Sequence, residues 1–195
     1  MPRSEEKYRE IRESARKKIM DAALELFAGN GFHSTSISDI AGRAGISKGL
    51  MYNYFESKEE LLREIIFTGF DSITYGFDPD RDGVLTSDEL VFFIRESFRL
   101  VEARPSFWKL FFLIMYQSPA IEMFRKELKA KTDGYMKMLV ACFAGRKADD
   151  PEAEALLFSS LLDGVCMNFL SDPERFPLRV VEKKIIEMYS NNNLK

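Results

Sequence analysis

The chain has one histidine and two cysteines in 195 residues, and that scarcity excludes most metal and nucleophile chemistry. His33 leaves no histidine pair for a metal and can fill at most one catalytic role. Cys142 and Cys166 sit inside apolar helical patterns, where a free cysteine behaves as a small core hydrophobe, so no disulfide is expected. A nucleophile elbow, a phosphate loop, a zinc motif and a serine–histidine pattern are also missing, and no enzyme is expected. No apolar run approaches the roughly 18 residues that span a bilayer. Residues 1–20 are heavily charged, so neither a membrane segment nor a secretory signal is expected. The expectation is a cytoplasmic protein with no membrane partner. Strong positive charge is lacking too: the net charge is −3. Residues 1–58 carry ten Lys and Arg against eight Asp and Glu, so the first part is mildly basic and the remainder acidic. A surface for nucleic acid must therefore come from local clustering of Arg3, Arg43, Lys48 and Lys58.

What is present is helical periodicity from end to end, and the chain reads as all-α. Residues 1–9 read as a polar, mobile arm. From Glu10 to Ala28, apolar residues recur at helical spacing, and Gly29 and Gly31 end the segment. Ser36 and Asp39 form a capping box for a short helix to Ala44, and Gly45 stops it. Ser47 caps a second short helix through Phe55, which turns Met51 and Phe55 inward and Lys48, Tyr52 and Asn53 outward. Two short helices around a tight turn form a helix-turn-helix, whose second helix lies in the DNA major groove.

The run RKKIMDAALELFAGNGFHSTSISDIAGRAGISKGLMYNYFESKEELL, Arg16 to Leu62, resembles the DNA-binding domain of the tetracycline-repressor (TetR) family of bacterial regulators. The AALELF helix, the DIA-x-RAG helix, the SKG-x-x-Y recognition helix and the SKEELL start of the next helix carry the resemblance. It implies a three-helix head over residues 1–58 and a helical ligand-binding and dimerisation body over 59–195. It also implies roles in the head. Thr35 and Ser36 would donate to a phosphate at a helix N-terminus. Ser47 opens the recognition helix, Lys48 would reach a base edge or phosphate, and Gly49 would allow close approach to the groove. Tyr52 and Tyr54 would meet phosphates or thymine methyls, Asn53 an adenine, and Lys58 a phosphate. Leu50 and Tyr54 depart from the residues usual at their positions, so base preference does not carry over.

Ser57 and Glu60 form another capping box, which opens a helix expected to run to about Tyr75 and connect head to body. Asp78 to Glu89, DPDRDGVLTSDE, then satisfies the twelve-residue EF-hand rule: Asp78, Asp80, Asp82, the Val84 carbonyl and Glu89 would surround one Ca²⁺. The same residues are ordinary turn formers, and Thr86 with Glu89 is a capping box. No cofactor is required by the pattern; Ca²⁺ is the cation the rule names, with magnesium or no metal as the alternatives, and a calcium-responsive regulator is the competing function.

Further helices are expected over Ser87–Val101, Pro105–Tyr116, Pro119–Phe143, Pro151–Leu170 and Pro177–Asn191, with Gly134 marking a kink or a close approach. The body is rich in aromatics and methionine. Family members place their inducer between such helices, so Phe93, Phe98, Trp108, Phe111, Phe112, Met115, Tyr116, Met123, Phe124 and Tyr135 are the expected pocket walls. Glu96, Arg99, Gln117 and Glu122 are the expected polar contacts. The last two helices carry the stripes Leu157, Leu161, Gly164, Val165 and Asn168, and Val181, Ile185 and Tyr189. By resemblance these pair across a two-fold axis, making a homodimer on a palindromic double-stranded DNA operator, released by a small-molecule effector that is apolar or aromatic.

Overall fold

Why the chain folds as it does is written at its helix ends. In this computed structural model, which describes residues 2–74, 77–80, 82–117, 122 and 124–190, the described residues form nine helices and no strand. They are α1 (Pro2–Asn30), α2 (Ile37–Ala44), α3 (Lys48–Met51), α4 (Lys58–Thr74), α5 (Ser87–Ala103), α6 (Pro105–Gln117), α7 (Arg125–Gly145), α8 (Pro151–Ser171) and α9 (Leu178–Ser190). Ser36 and Asp39 close the expected capping box on α2. Gly45, at φ 72°, ends that helix in the left-handed region that glycine enters without strain. Thr86 and Glu89 make a second capping box on α5. Pro105 and Pro151 open α6 and α8, where a missing N–H costs nothing.

Two boundaries differ from expectation. The arm before Glu10 is the first part of α1, which runs unbroken from Pro2; its Glu, Lys and Arg residues are good helix formers, and Arg9 sits one turn from Glu13. The recognition helix is shorter than expected: regular α3 ends at Met51, and single turns carry the chain to Phe55 through bonds such as Asn53 N–H to the Leu50 carbonyl at 3.1 Å. Gly134 is exposed, and a methyl group there would meet nothing, so it marks no close approach. The expected start of α7 at Pro119 lies outside the described residues.

In the head, Ile19, Ala23 and Phe27 of α1 pack on Ile40 and Ala41 of α2 and on Met51 and Phe55. Phe32 meets Phe27 edge-on at 5.2 Å and closes this core. Leu61, Leu62, Ile65 and Ile66 of α4 extend it, and the cluster continues into the body without a gap. The expected division at residue 58 thus falls at the first residue of α4. In the body α5 packs on α9, α7 on α8, and α6 back on α1. Helix α8 is long and apolar enough to cross a membrane by length and composition, contrary to expectation. Core helices pass the same test, and Phe158, Leu162, Val165, Cys166, Phe169 and Leu170 are buried in the fold.

Candidate DNA interface and effector cavity

Three polar side chains organise the reading end of the head. The Ser36 hydroxyl accepts from the Asp39 N–H at 3.1 Å and donates to its carboxylate at 2.6 Å. The hydroxyl, together with the Ser36 N–H that donates to the same carboxylate at 2.9 Å, holds the Asp39 carboxyl below its ordinary value. Ser47 accepts from the Leu50 N–H at 3.1 Å and starts α3. Arg16 donates to the Tyr54 carbonyl at 2.6 Å, pairs with Glu64 and lies 4.3 Å from the Phe55 ring centre, so one side chain ties α1 to the turns that follow α3 and to α4.

The outer ridge of the head presents Ser36, Ser47, Lys48, Gly49, Leu50, Tyr52 and Asn53, all exposed. Tyr54 is half-buried against the head core, with Arg12 over its ring. Thr35 requires a correction: it is 2% exposed, and its hydroxyl donates inward to the Gly31 and Leu26 carbonyls. Gly31, at φ 85°, stands in the left-handed region just past the end of α1. Lys58 also departs from expectation. Its ammonium donates to the Phe32 carbonyl at 2.8 Å and the Thr35 carbonyl at 2.9 Å, and sits over the Phe32 ring. It fastens the turn before α2 to the start of α4 and does not project as a phosphate clamp. Arg43 is paired with Glu25, and the side chain of Arg3 lies outside the described residues. Of the expected basic cluster, Lys48 remains exposed and makes no ion pair among the described residues.

In the body, α4, α5, α6, α7 and α8 enclose a cavity of about 260 Å³ with largely apolar walls. Phe93, Trp108, Phe111, Phe112, Met115 and Tyr135 line it as expected. Phe98 and Phe124 do not. Phe98 is fully buried on another side of α5, and Phe124 packs edge-on against Phe67 at 6.1 Å. Met123 and the side chains of Tyr116 and Gln117 lie outside the described residues. The polar contacts are also corrected: Arg99 pairs with Glu96, and Arg125 with Glu122, at the surface. The polar groups on the cavity wall are Ser97, Thr132, Ser159 and Asp163. Sequence reasoning missed Phe70, Phe77, Met136, Leu139, Phe158, Leu162 and Cys166. On α8 the signal was there in the spacing Ser159, Leu162, Asp163, Cys166, one helical stripe. A larger depression of about 610 Å³ between residues 83–87 and the end of α7 has a much larger polar share in its walls and encloses no comparable aromatic site.

The Asp78, Asp80 and Asp82 carboxylates converge, with one oxygen of each within 4.8 Å of the others. Each is also a turn acceptor. Asp78 takes the Gly83 N–H at 3.1 Å, Asp82 the Val84 N–H at 2.7 Å and Asp80 the Asp82 N–H at 3.3 Å. The Asp82 N–H lowers Asp80, but desolvation and the charges of Asp82 and Glu89 outweigh it and leave that carboxyl above its ordinary value. Glu89 is corrected as a ligand: an oxygen of its carboxylate accepts from the Thr86 N–H at 2.8 Å and hydroxyl at 2.7 Å, closing the α5 cap. Val84 has an exposed side chain. Turn and cap bonds hold this loop, and Asp78 Oδ1 is buried with no hydrogen-bond partner among the described residues.

The expected dimer stripes divide. Val165, Ile185 and Tyr189 are buried within the single chain at 8%, 2% and 1% exposure, so they belong to its own core. The Tyr189 hydroxyl donates to Glu154 at 3.1 Å, tying α9 to α8. Leu157 is 58% exposed, Asn168 is exposed, and Leu161, Gly164 and Val181 are half-buried. Met167, Val180 and Met188 add exposed apolar surface on the same two helices.

A capped helix pair with an outward ridge, set on a helical body, defines a helix-turn-helix DNA-binding regulator. Residues 19–65 match the bacterial regulatory proteins of the tetR family, and residues 87–188 match the C-terminal domain of BetI-type transcriptional repressors. The chain belongs to the TetR family of bacterial transcriptional regulators. Among its relatives, the fatty acid metabolism regulator protein of Bacillus subtilis is 47% identical over 45 residues, which is 23% of either chain. The regulator UidR of Escherichia coli is 37% identical over 76 residues, 39% of either chain. The chain thus matches well under half the length of these relatives. The whole fold is similar to that of PfmR from Thermus thermophilus, with TM-score 0.72, 23% identity and coverage of 91% of this chain and 98% of that one.

Proposed function

We propose that the protein is a homodimeric repressor that holds a palindromic operator through α3 and lets it go when a small apolar or aromatic molecule fills the cavity. The observation that carries this reading is the path of α4. At its first residue, Lys58 binds the turn that precedes α2. Three turns further on, Phe70 forms part of the cavity wall, 5.7 Å from Tyr135 and stacked on Phe111 at 6.3 Å. An occupant that displaces Phe111 or Tyr135 therefore pushes on the helix that carries the head. Ion pairs of Arg63 with Glu127 and Lys131 with Asp71 join α4 to α7 along their exposed sides. The ligand shifts the population toward a form whose two heads no longer match successive major grooves.

Lys48, Asn53, Tyr52, Ser47, Ser36, Gly49 and Leu50 are the DNA-facing set, with Tyr54 at its edge. The exposed faces of α8 and α9, centred on Leu157, Leu161, Gly164, Asn168 and Val181, are the dimer seam. A regulator of this kind works in the cytoplasm. The fatty-acid role named for the Bacillus subtilis relative does not specify the effector here, because that match spans only 45 residues. Selection of bound duplexes from a random library tests the reading. A palindromic consensus is expected, with affinity that falls as salt rises; Lys48→Ala should weaken it and reduce the salt slope by about one. Absence of any enriched duplex overturns the repressor reading.

A further inference from the structure

The loop between α4 and α5 gathers three carboxylates and leaves them short of partners. One oxygen each of Asp78, Asp80 and Asp82 lies within 4.8 Å of the others, and none of the three side chains makes an ion pair among the described residues. Turn bonds use part of their capacity: the Gly83 N–H donates to Asp78 Oδ2, the Asp82 N–H to Asp80 Oδ1 and the Val84 N–H to Asp82 Oδ1. Asp78 Oδ1 is left over, buried and without a hydrogen-bond partner among the described residues. A buried carboxylate oxygen with no donor and two like charges beside it is costly unless a cation faces it. Across the neighbouring depression Arg146 does not serve, because its guanidinium donates to the Tyr189 carbonyl on α9.

Three oxygens this close fit one coordination shell: ligands at roughly 2.3–2.6 Å from Ca²⁺ lie at most about 5 Å apart. The rest of the loop agrees. Gly83, at the sixth position, stands at φ 79°, and Leu85, at the eighth, is buried in the core. Val84, at the seventh, supplies a backbone carbonyl by position. Glu89 is spent on the α5 cap, so water stands where a bidentate carboxylate would. We infer that Asp78, Asp80 and Asp82, with the Val84 carbonyl, bind one Ca²⁺. The ion clamps the α4–α5 connection behind the cavity wall. Phe77, next to Asp78 in the chain, is buried and meets Phe93 of α5 edge-on at 4.7 Å and Tyr135 of α7 at 5.1 Å. Neither operator nor effector enters this site, so it stands or falls apart from the repressor reading. Few protein ligands and no partner loop put the affinity at the weak end of the range for such loops, a Kd of about 10⁻⁴ M.

Calorimetric titration of the EDTA-stripped full chain with CaCl₂ should show one saturable site per chain near that value. At about 10 mM Ca²⁺, a roughly hundredfold excess over Kd, Tm should rise by roughly 5–10 °C. The same concentration of Mg²⁺, which demands a tighter octahedral shell, should give less than about a third of that rise. Asp78→Asn keeps an oxygen for the Gly83 N–H and removes the charge; Asp80→Ala removes an exposed ligand. Each should weaken Ca²⁺ about tenfold or more and melt within about 2 °C of the unsubstituted chain in EDTA, which separates ion binding from folding. Hydrogen exchange locates the ion: Ca²⁺ should slow the amides of residues 78–90 and leave those of residues 36–55 unchanged. Absence of a saturable site overturns the assignment, as do unchanged Ca²⁺ affinity in both variants, an equal rise with Mg²⁺, or protection that falls away from the loop.

Discussion

Gly69 sets how closely α4 can lie against α6, and replacing it tests the proposed link between cavity and head. A Cβ at this position would lie 2.0 and 2.1 Å from two ring carbons of Phe107. Ordinary carbon contacts begin near 3.5 Å, so the ring or the helix must move by roughly an ångström or more. Phe107 has little room to yield. It is 2% exposed, meets Trp108 edge-on at 5.6 Å and lies 6.0 Å from Phe111, with Arg104 over its ring. Overpacking of this kind costs about 1–3 kcal/mol, while alanine in a helix interior recovers about 1 kcal/mol relative to glycine. The net expectation for Gly69→Ala is a loss of about 1 kcal/mol, or a fall of roughly 2–4 °C in Tm for a chain of this size. The functional consequence should be larger than the thermal one. Trp108 and Phe111 are cavity walls, so the added methyl imitates an occupant and should weaken operator binding without any ligand. Phe107→Leu in the same chain removes the ring and should restore binding, a coupling that a double-mutant cycle reads directly. Unchanged operator affinity and Tm in Gly69→Ala would show that Phe107 yields freely and would refute this route.

Lys58→Met keeps the side-chain stem but strips the Phe32 and Thr35 carbonyls of their donor. It should lower stability by about 1–2 kcal/mol in thermal melts and leave the salt slope of DNA binding unchanged; a slope reduced by about one would show that Lys58 reaches phosphate instead. Leu157→Glu combined with Met188→Glu changes two side chains more than half exposed in the single chain. Sedimentation should show a folded monomer at micromolar concentration, and a persisting dimer would place the seam elsewhere. Cys166, pushed up to about 12, should resist iodoacetamide at pH 8, with a rate roughly three orders of magnitude below that of an unfolded thiol near 8.5. Because the unfolded thiol ionises first, this group's contribution to stability is present below pH ~8.5 and is lost as pH rises toward the folded value. Mass spectrometry that finds Cys166 alkylated in the native state at a free-thiol rate would contradict its burial.

How much of this was legible in the sequence depended on whether a side chain's partner lay nearby in the chain. The caps at Ser36, Ser47 and Thr86 read correctly because each cap hydroxyl and the N–H that donates to it are three residues apart. Met51 and Phe55 read correctly because one turn of helix places them on one face. Thr35 and Lys58 were misplaced because their partners are carbonyls, which every residue has and no sequence pattern marks; the Phe32 carbonyl is 26 positions from Lys58. The cavity was half legible for a related reason. Trp108, Phe111, Phe112 and Met115 come from one apolar helix that had to face something. Phe70, Phe158 and Cys166 come from helices with more than one buried face, where periodicity says that a residue is inside but not against which neighbour. The same ambiguity divided the dimer stripes: residues 161 and 165 are one turn apart on α8, yet Leu161 reaches the surface and Val165 is core. The Asp78 to Glu89 loop shows the opposite failure, a pattern strong in sequence whose last residue is already committed. Glu89 can cap α5 or ligate a cation, and the two bonds from Thr86 give it a local partner that needs no ion. A carboxylate three residues from a Thr cap and at the twelfth position of an acidic loop satisfies both rules, and both cap bonds fall on one of its two oxygens.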